Sequence, residues 1–196
     1  MLPEFSFAII FSYLIGSIST AIIVCKVMNL PDPRTQGSKN PGATNVLRIG
    51  GKKAAAITLL GDGLKGALPV LLVLYLGFDL VDATWVALAV FLGHVYPVFF
   101  GFKGGKGVAT FLGALFALGL TIGASFALIW LFVAKVLKIS SLSALIATLL
   151  SPVFFYFLSG NLQATYIIIL MSLLIFITHR SNIKRMLSGD EGSIKS

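Results

Sequence analysis

The sequence predicts an all-α fold: a polytopic integral membrane helical bundle of seven transmembrane helices, with the N-terminus outside and the C-terminus cytoplasmic. Three observations carry this expectation. Of 196 residues, 57% are hydrophobic and only 11% charged, against about 25% charged in an ordinary soluble domain, and the mean hydropathy is +0.98. The apolar residues fall in runs close to the ~20 residues that a helical crossing needs. Lys and Arg gather between alternate runs, as they do in the cytoplasmic loops of membrane proteins. At about 20 residues per crossing, roughly seven or eight spans fill the chain. No room remains for a soluble catalytic domain, so residues 1–196 read as a single membrane-embedded domain. The 15 Lys+Arg against 7 Asp+Glu, formally +8, therefore report topology first, and no nucleic acid partner is expected. The single Cys25 lies in an apolar run, which excludes a disulfide framework, a CxxC redox pair and a cysteine metal cluster.

Residues 5–27 form the first span. They are too many for a signal peptide, follow Glu4 rather than a basic cluster and lack a small-residue cleavage site, so the segment is expected to be retained. The polar stretch 29–53 carries prolines and glycines that forbid one continuous helix. Apolar residues resume over 54–78 around Asp62 and Lys65, and 81–100 makes the third span before the Gly- and Lys-rich GFKGGKG. The run 108–136 is too long for one untilted crossing. Charge parity divides it. As one helix it would leave Lys135, Lys138, Arg180, Lys184 and Arg185 outside; two helices breaking near Gly119 to Gly123 return all of them to the cytoplasmic side. The first of the two would have only about 12 residues, or roughly 18 Å. Spans over 142–158 and 164–178 then lead into the basic tail HRSNIKRMLSGDEGSIKS. No internal repeat is evident, so an inverted-repeat transporter gains no support from that direction.

This topology brings four polar segments, GSKNPGATNVLR, GFKGGKGVAT, SSLS and HRSNIKR, to one face. In the first, Gly37, Gly42, Gly50 and Gly51 can present bare N–H groups. Ser38, Asn40, Thr44, Asn45 and Arg48 add neutral donors and a fixed cation, a set suited to clustered anionic oxygens. The same residues suit a positive-inside loop that merely caps helices, and composition alone does not separate the two. In the second segment, Gly101, Gly104, Gly105 and Gly107 surround Lys103 and Lys106 just before a helix start, where unpaired N–H groups and the helix dipole favour an anion. The spacing is not that of a Walker A loop, so ATP is unsupported. Lys106, pinned between glycines, is a better candidate than Lys103, which can equally face lipid headgroups. Ser140, Ser141 and Ser143 can cap the sixth helix or donate to a ligand.

His179 and Asn182 lie three apart and share a face if the last helix continues. His179 can be a base, a phosphate donor or an interfacial hydrogen-bonding residue. His94, three before Pro97, is expected to satisfy carbonyls freed by a bend. Asp62 and Lys65 inside an apolar helix imply mutual pairing or a wet cavity. No HxxxxD follows either histidine and no His–carboxylate set has metal-ligand spacing, so neither a His–Asp base nor a metal is implied.

Three signatures carry a resemblance: Gly37-Ser38-Lys39-Asn40-Pro41-Gly42-Ala43-Thr44-Asn45 with Arg48; His94-Val95-Tyr96-Pro97 running into Phe102-Lys103-Gly104-Gly105-Lys106-Gly107-Val108-Ala109-Thr110; and His179-Arg180-Ser181-Asn182-Ile183. In this order, over essentially the whole chain, the sequence resembles the bacterial acyl-phosphate:glycerol-3-phosphate acyltransferase family. The resemblance implies transfer of a fatty acyl group from acyl phosphate to the 1-hydroxyl of sn-glycerol 3-phosphate, giving lysophosphatidic acid and inorganic phosphate in phospholipid biosynthesis. It carries Ser38, Arg48, Lys106, Ser141, His179 and Asn182 into the catalytic site. Asn40, Thr44, Asn45, Gly104, Gly105 and Ser143 become substrate-binding residues, with Gly104 and Gly105 nearest the acyl phosphate. The implied partners are the two substrates and membrane lipids, with no cofactor, no metal and no obligatory protein partner. The implied location is the bacterial cytoplasmic (inner) membrane, with the active site facing the cytoplasm. The other class left standing is an anion or phosphorylated-metabolite transporter, because helix termini and intramembrane charges build substrate sites in carriers too.

Overall fold

The computed structural model describes residues 3–194, and among them every regular element is a helix. The chain runs through α1 (Pro3–Gly16), α2 (Thr20–Val27), α3 (Ala43–Tyr75), α4 (Leu80–Val95), a 3-10 turn at Val98–Phe100, α5 (Val108–Leu118), α6 (Leu120–Leu137), α7 (Ser140–Ser159), α8 (Leu162–Thr178) and α9 (Arg180–Leu187). Five segments are long and apolar enough to cross a membrane, with α1 and α2 together as one of them, and a sixth if α8 and α9 count as a single bent span. α5, with 11 residues, extends only about 16 Å at 1.5 Å per residue, roughly half of a ~30 Å hydrocarbon core. The break between α5 and α6 falls at Gly119, the extended residue that ends one helix and begins the next.

The polar stretch departs from expectation. Irregular backbone ends at Gly42, and helix begins at Ala43 rather than at Ala54. The sequence prolines that interrupt helix, Pro31, Pro33 and Pro41, all precede Ala43. The later glycines bend the helix without ending it. Gly51 takes φ 77° and ψ −175° inside α3, a backbone region that glycine enters without the Cβ penalty. An N-terminal arm bearing Thr44, Asn45 and Arg48 is thereby set at an angle to the apolar shaft. A second departure lies at the end of the bundle: α8 and α9 meet at 58°, so His179 sits in a bend instead of continuing a straight helix toward Asn182.

Glycines let the helices approach. A Cβ on Gly66 would collide with the Thr110 carbonyl and one on Gly113 with the Gly63 carbonyl, which seats α5 directly on α3. Gly16 meets the Val90 carbonyl and Gly93 the Tyr13 carbonyl in the same way, joining α1 to α4. In a lipid solvent such close packing replaces the hydrophobic drive that would hold helices together in water. The buried core gathers Phe91, Phe111, Phe126, Phe155, Met171 and Ile175, with the Phe111 and Phe126 rings edge to face at 5.7 Å. Large apolar side chains such as Leu60, Leu68, Phe132, Phe157 and Leu173 point outward, as a surface facing acyl chains requires.

Candidate active site

A cavity of about 330 Å³ opens where the arm of α3, the start of α5, the α6–α7 corner and the α8–α9 bend converge. Its polar wall holds Ser38, Asn40, Thr44 and Arg48 from the first signature, Lys106 from the second, Ser140 and Ser141 from α7, and His179 and Asn182 from the bend. Its apolar part is lined by Leu59, Leu112, Phe126, Trp130, Leu131 and Ala144. Four distant stretches of sequence therefore share one hollow, whose polar wall adjoins an apolar one.

Each polar residue is held by local structure. The Asn45 side chain is spent on the loop before α3: its amide donates to the carbonyls of Pro33 (2.8 Å) and Gln36 (3.0 Å) and its oxygen accepts from the Ser38 N–H (2.9 Å). Asn45 thus places Ser38 while leaving no free side-chain donor of its own. Gly37 bends this loop at φ 59°, and a Cβ there would meet the Asn45 oxygen. Thr44 Oγ1 lies 3.3 Å from Ser140 Oγ, tying the first signature to α7.

Lys106 precedes α5, whose first residues Val108 and Ala109 also face the cavity. Gly107 caps that helix at φ 90°, in a space that the Phe91 ring closes to any Cβ. The Lys106 carbonyl accepts from Thr178 Oγ1 at 3.1 Å, and its Nζ donates to Asn182 Oδ1. Burial first, then the Arg185 charge, pull the Lys106 ammonium down to about 8; Arg48 adds to the fall and Glu191 opposes it. The His179 ring is fixed by Nδ1, 2.8 Å from the Ile175 carbonyl. Because a carbonyl can only accept, Nδ1 carries the hydrogen, and the neutral ring presents Nε2 as an acceptor.

Three residues expected at the substrate lie elsewhere. Gly104 and Gly105 do not line the cavity; their N–H groups are occupied by the carbonyls of Val95 and His94, each at 3.2 Å. They are glycine because a Cβ would collide with the His94 carbonyl at Gly104 and with the His94 ring at Gly105. These glycines pack the loop against the end of α4. Ser143 is fully buried and its hydroxyl bonds back to the Ile139 carbonyl at 2.8 Å, so Ser140 and Ser141 are the α7 hydroxyls that reach the cavity. None of the three serines makes a side-chain cap to α7. His94 also departs from its expected role. Its Nδ1 lies 3.6 Å from Asp62, which pairs with Lys65 at 2.9 Å, and Lys65 donates to the Ile18 carbonyl at the α1–α2 break (2.6 Å).

Sequence reasoning missed Glu191. The tail was expected to be simply basic, yet the Glu191 carboxylate enters the cavity wall and accepts from Ser141 Oγ (2.6 Å), Asn182 Nδ2 (2.6 Å) and Arg185 Nε (2.7 Å). Its only mark in the sequence is an acidic pair, Asp190-Glu191, inside an otherwise cationic tail.

An apolar-girdled helical bundle with a pocket of cations, hydroxyls and a helix N-terminus defines an integral membrane protein whose pocket suits an oxyanionic small molecule beside an apolar group. Comparison with known proteins narrows that class. Residues 6–189 match the family described as glycerol-3-phosphate acyltransferase. A glycerol-3-phosphate acyltransferase of Ruthia magnifica subsp. Calyptogena magnifica is 69% identical over 99% of this chain and 100% of its own length. One of Hydrogenovibrio crunogenus is 58% identical over 94% of this chain and 88% of its own. The crystal structure of PlsY (YgiH), an integral membrane glycerol 3-phosphate acyltransferase in its glycerol 3-phosphate form, superposes with a TM-score of 0.93 at 39% identity, covering 98% of this chain and 96% of that one. Its lysophosphatidic acid form superposes with a TM-score of 0.88 at 38% identity, covering 97% and 95%. This chain belongs to the glycerol-3-phosphate acyltransferase family.

Proposed function

We propose that the protein, as one domain over residues 1–196, transfers a fatty acyl group from acyl phosphate to the 1-hydroxyl of sn-glycerol 3-phosphate. The products are lysophosphatidic acid and inorganic phosphate. The observation that carries this reading is the convergence of Arg48, Lys106 and Asn182 with Ser38, Ser141 and His179 around one cavity that is also lined by a row of apolar residues. Two phosphate-bearing substrates need that density of donors, and the acyl chain needs the apolar lining.

Acyl phosphate is already activated, so direct attack suffices. The glycerol oxygen bonds to the carbonyl carbon, the carbon–oxygen bond to phosphate breaks, and the hydroxyl proton passes to an oxygen of the departing phosphate. Lys106 and the N–H groups at the start of α5 stabilise charge on the carbonyl oxygen and the leaving phosphate, a preorganised contribution often worth several kcal/mol. Arg48 clamps a phosphate. Ser38 adds a neutral donor, with Asn40 and Thr44 beside it, and Ser141, whose hydroxyl hydrogen goes to Glu191, holds that carboxylate at the cavity wall. His179 Nε2, left as an acceptor by the Ile175 bond, orients a glycerol hydroxyl. The protein works without a metal, cofactor or obligatory protein partner in the bacterial cytoplasmic membrane. The cavity faces the cytoplasm, the N-terminus lies outside, and α5 with α6 completes seven crossings.

The test is chemistry in detergent. Purified protein given acyl phosphate and glycerol 3-phosphate should release phosphate and form lysophosphatidic acid with no second compartment; an anion carrier would form neither. A covalent acyl-enzyme trapped on any serine would overturn direct transfer.

A further inference from the structure

The chain beyond α9 turns back across the cavity. Gly189 takes φ 79°, the Asp190 N–H returns to the Arg185 carbonyl at 2.8 Å, and the Ile194 N–H reaches the Lys138 carbonyl at 2.6 Å, so the segment bridges α9 to the α6–α7 corner. Glu191 lies in the middle of this bridge with its side chain only 8% exposed. One of its oxygens accepts both the Ser141 hydroxyl and the Asn182 amide, and the other accepts Arg185. Partial burial pushes this carboxyl up, but the three donors outweigh it and hold the group below the usual carboxylate range.

A carboxylate beside a cavity for anions demands a reason, and Asn182 supplies one. Its Oδ1 accepts from Lys106 Nζ while its Nδ2 donates to Glu191. An asparagine amide fits its space in two orientations that exchange oxygen and nitrogen, and only one of them turns the carbonyl toward an ammonium. An ionised carboxylate accepts and never donates, so Glu191 selects the orientation that serves Lys106. Arg185 balances its charge. We infer that Glu191 is a positioning residue for acyl transfer: through the Asn182 amide it anchors the Lys106 ammonium at the start of α5. The assignment rests on the proposed function, and it gives the returning tail a role in the reaction.

The charged and titratable groups that bear on Lys106 are Arg48 from α3, His179 from the bend, Arg185 from α9 and Glu191 from the tail. Among them Glu191 supplies the negative charge, which favours the protonated amine. Removing that charge therefore has a signature that mere loosening of the tail lacks.

The experiment compares the full-length wild type with Glu191→Ala, Glu191→Gln and Asp190→Asn in one detergent, with acyl phosphate and glycerol 3-phosphate as substrates. Glu191→Ala should lower kcat by roughly tenfold or more, the scale of a lost orientation effect, while KM for glycerol 3-phosphate moves far less. Glu191→Gln can still accept from Asn182 and should restore part of that rate, but with the alkaline limb of its kcat/KM profile shifted to lower pH. Asp190→Asn should match wild type, because the Asp190 side chain is exposed and accepts only from its neighbour Ser188 in this tail, and its backbone bond to Arg185 is kept. Unchanged kcat with a lower KM in both Glu191 variants would overturn the inference and make the carboxylate a displaceable occupant of a phosphate place. Equal losses in the Ala and Gln variants with an unmoved alkaline limb would overturn it in favour of simple closure by the tail. Failure of the wild type itself to form product would strike the proposed function instead.

Discussion

At the scale of single residues, Lys106 brings together burial, charge and the proposed chemistry. Its ammonium is drawn down to about 8 in the ligand-free cavity, so free enzyme loses the cation as pH rises through that value. The kcat/KM profile is expected to fall on its alkaline side near pH 8, and the corresponding limb of kcat should lie higher, because bound phosphates hold the proton on. Coincident limbs would show that Lys106 does not face substrate. Lys106→Met is expected to lower kcat on the order of 10²–10³-fold, the scale of a lost oxyanion donor, with the fold monitored by size-exclusion chromatography. The serines provide a sharper comparison. Ser141→Ala should reduce kcat/KM by roughly ten- to a hundredfold, in line with about 1.5–3 kcal/mol for its hydrogen bond to the charged Glu191 carboxylate. Ser143→Ala should leave kinetics near wild type, since its hydroxyl is consumed within the first turn of α7. Sequence alone named the SSLS cluster but did not separate its members. The helix begins at Ser140 with no side-chain cap, and only that register decides which hydroxyl turns inward.

At the scale of elements, the glycines carry two different loads that composition cannot distinguish. Gly104 and Gly105 read as oxyanion donors, yet they relieve contact with His94 and give their N–H groups to α4. Gly63, Gly66 and Gly113 sit inside apolar runs without any motif around them, and they set the approach of α3 to α5. That approach matters to the proposed reaction because it fixes the start of α5, and Lys106 before it, against the arm carrying Arg48. Gly113→Val is expected to destabilise the protein by about 1–3 kcal/mol, as forced overpacking does, and to lower activity in proportion. A thermal unfolding scan in detergent would check it. An unchanged midpoint would mean that α5 is free to slide. The break at Gly119 was legible because charge parity demanded a reversal in the run 108–136. The early start of α3 was not, because Gly50 and Gly51 look like terminators and act as a hinge.

At the scale of the molecule, tertiary return of the chain sets the boundary of what the sequence disclosed. Motifs named Arg48, Lys106, His179 and Asn182, and hydropathy put them on one face. Glu191 escaped notice because its partners come from α7 and from α9, and no local pattern announces that a tail will fold back between them. The direction of the whole bundle depends on α5. It is too short to cross a bilayer at full thickness, yet counting it as a crossing is what places Lys135, Lys138 and Lys184 with the basic loops before it, as the positive-inside bias requires. Single cysteines at exposed positions settle the parity. Native Cys25 is buried, and Lys135, Leu162 and Lys184 are all exposed. In intact cells, a membrane-impermeant maleimide is expected to label Leu162→Cys directly, and Lys135→Cys and Lys184→Cys only after the membrane is opened. A reverse pattern with an added Lys39→Cys labelled directly would mean that the whole bundle is inverted; with Lys39→Cys still protected it would mean that α5 and α6 form one crossing. The cavity that contains Lys106 and Asn182 would then have its basic rim divided between two compartments, a geometry in which one pocket could not gather both phosphates from the cytoplasm.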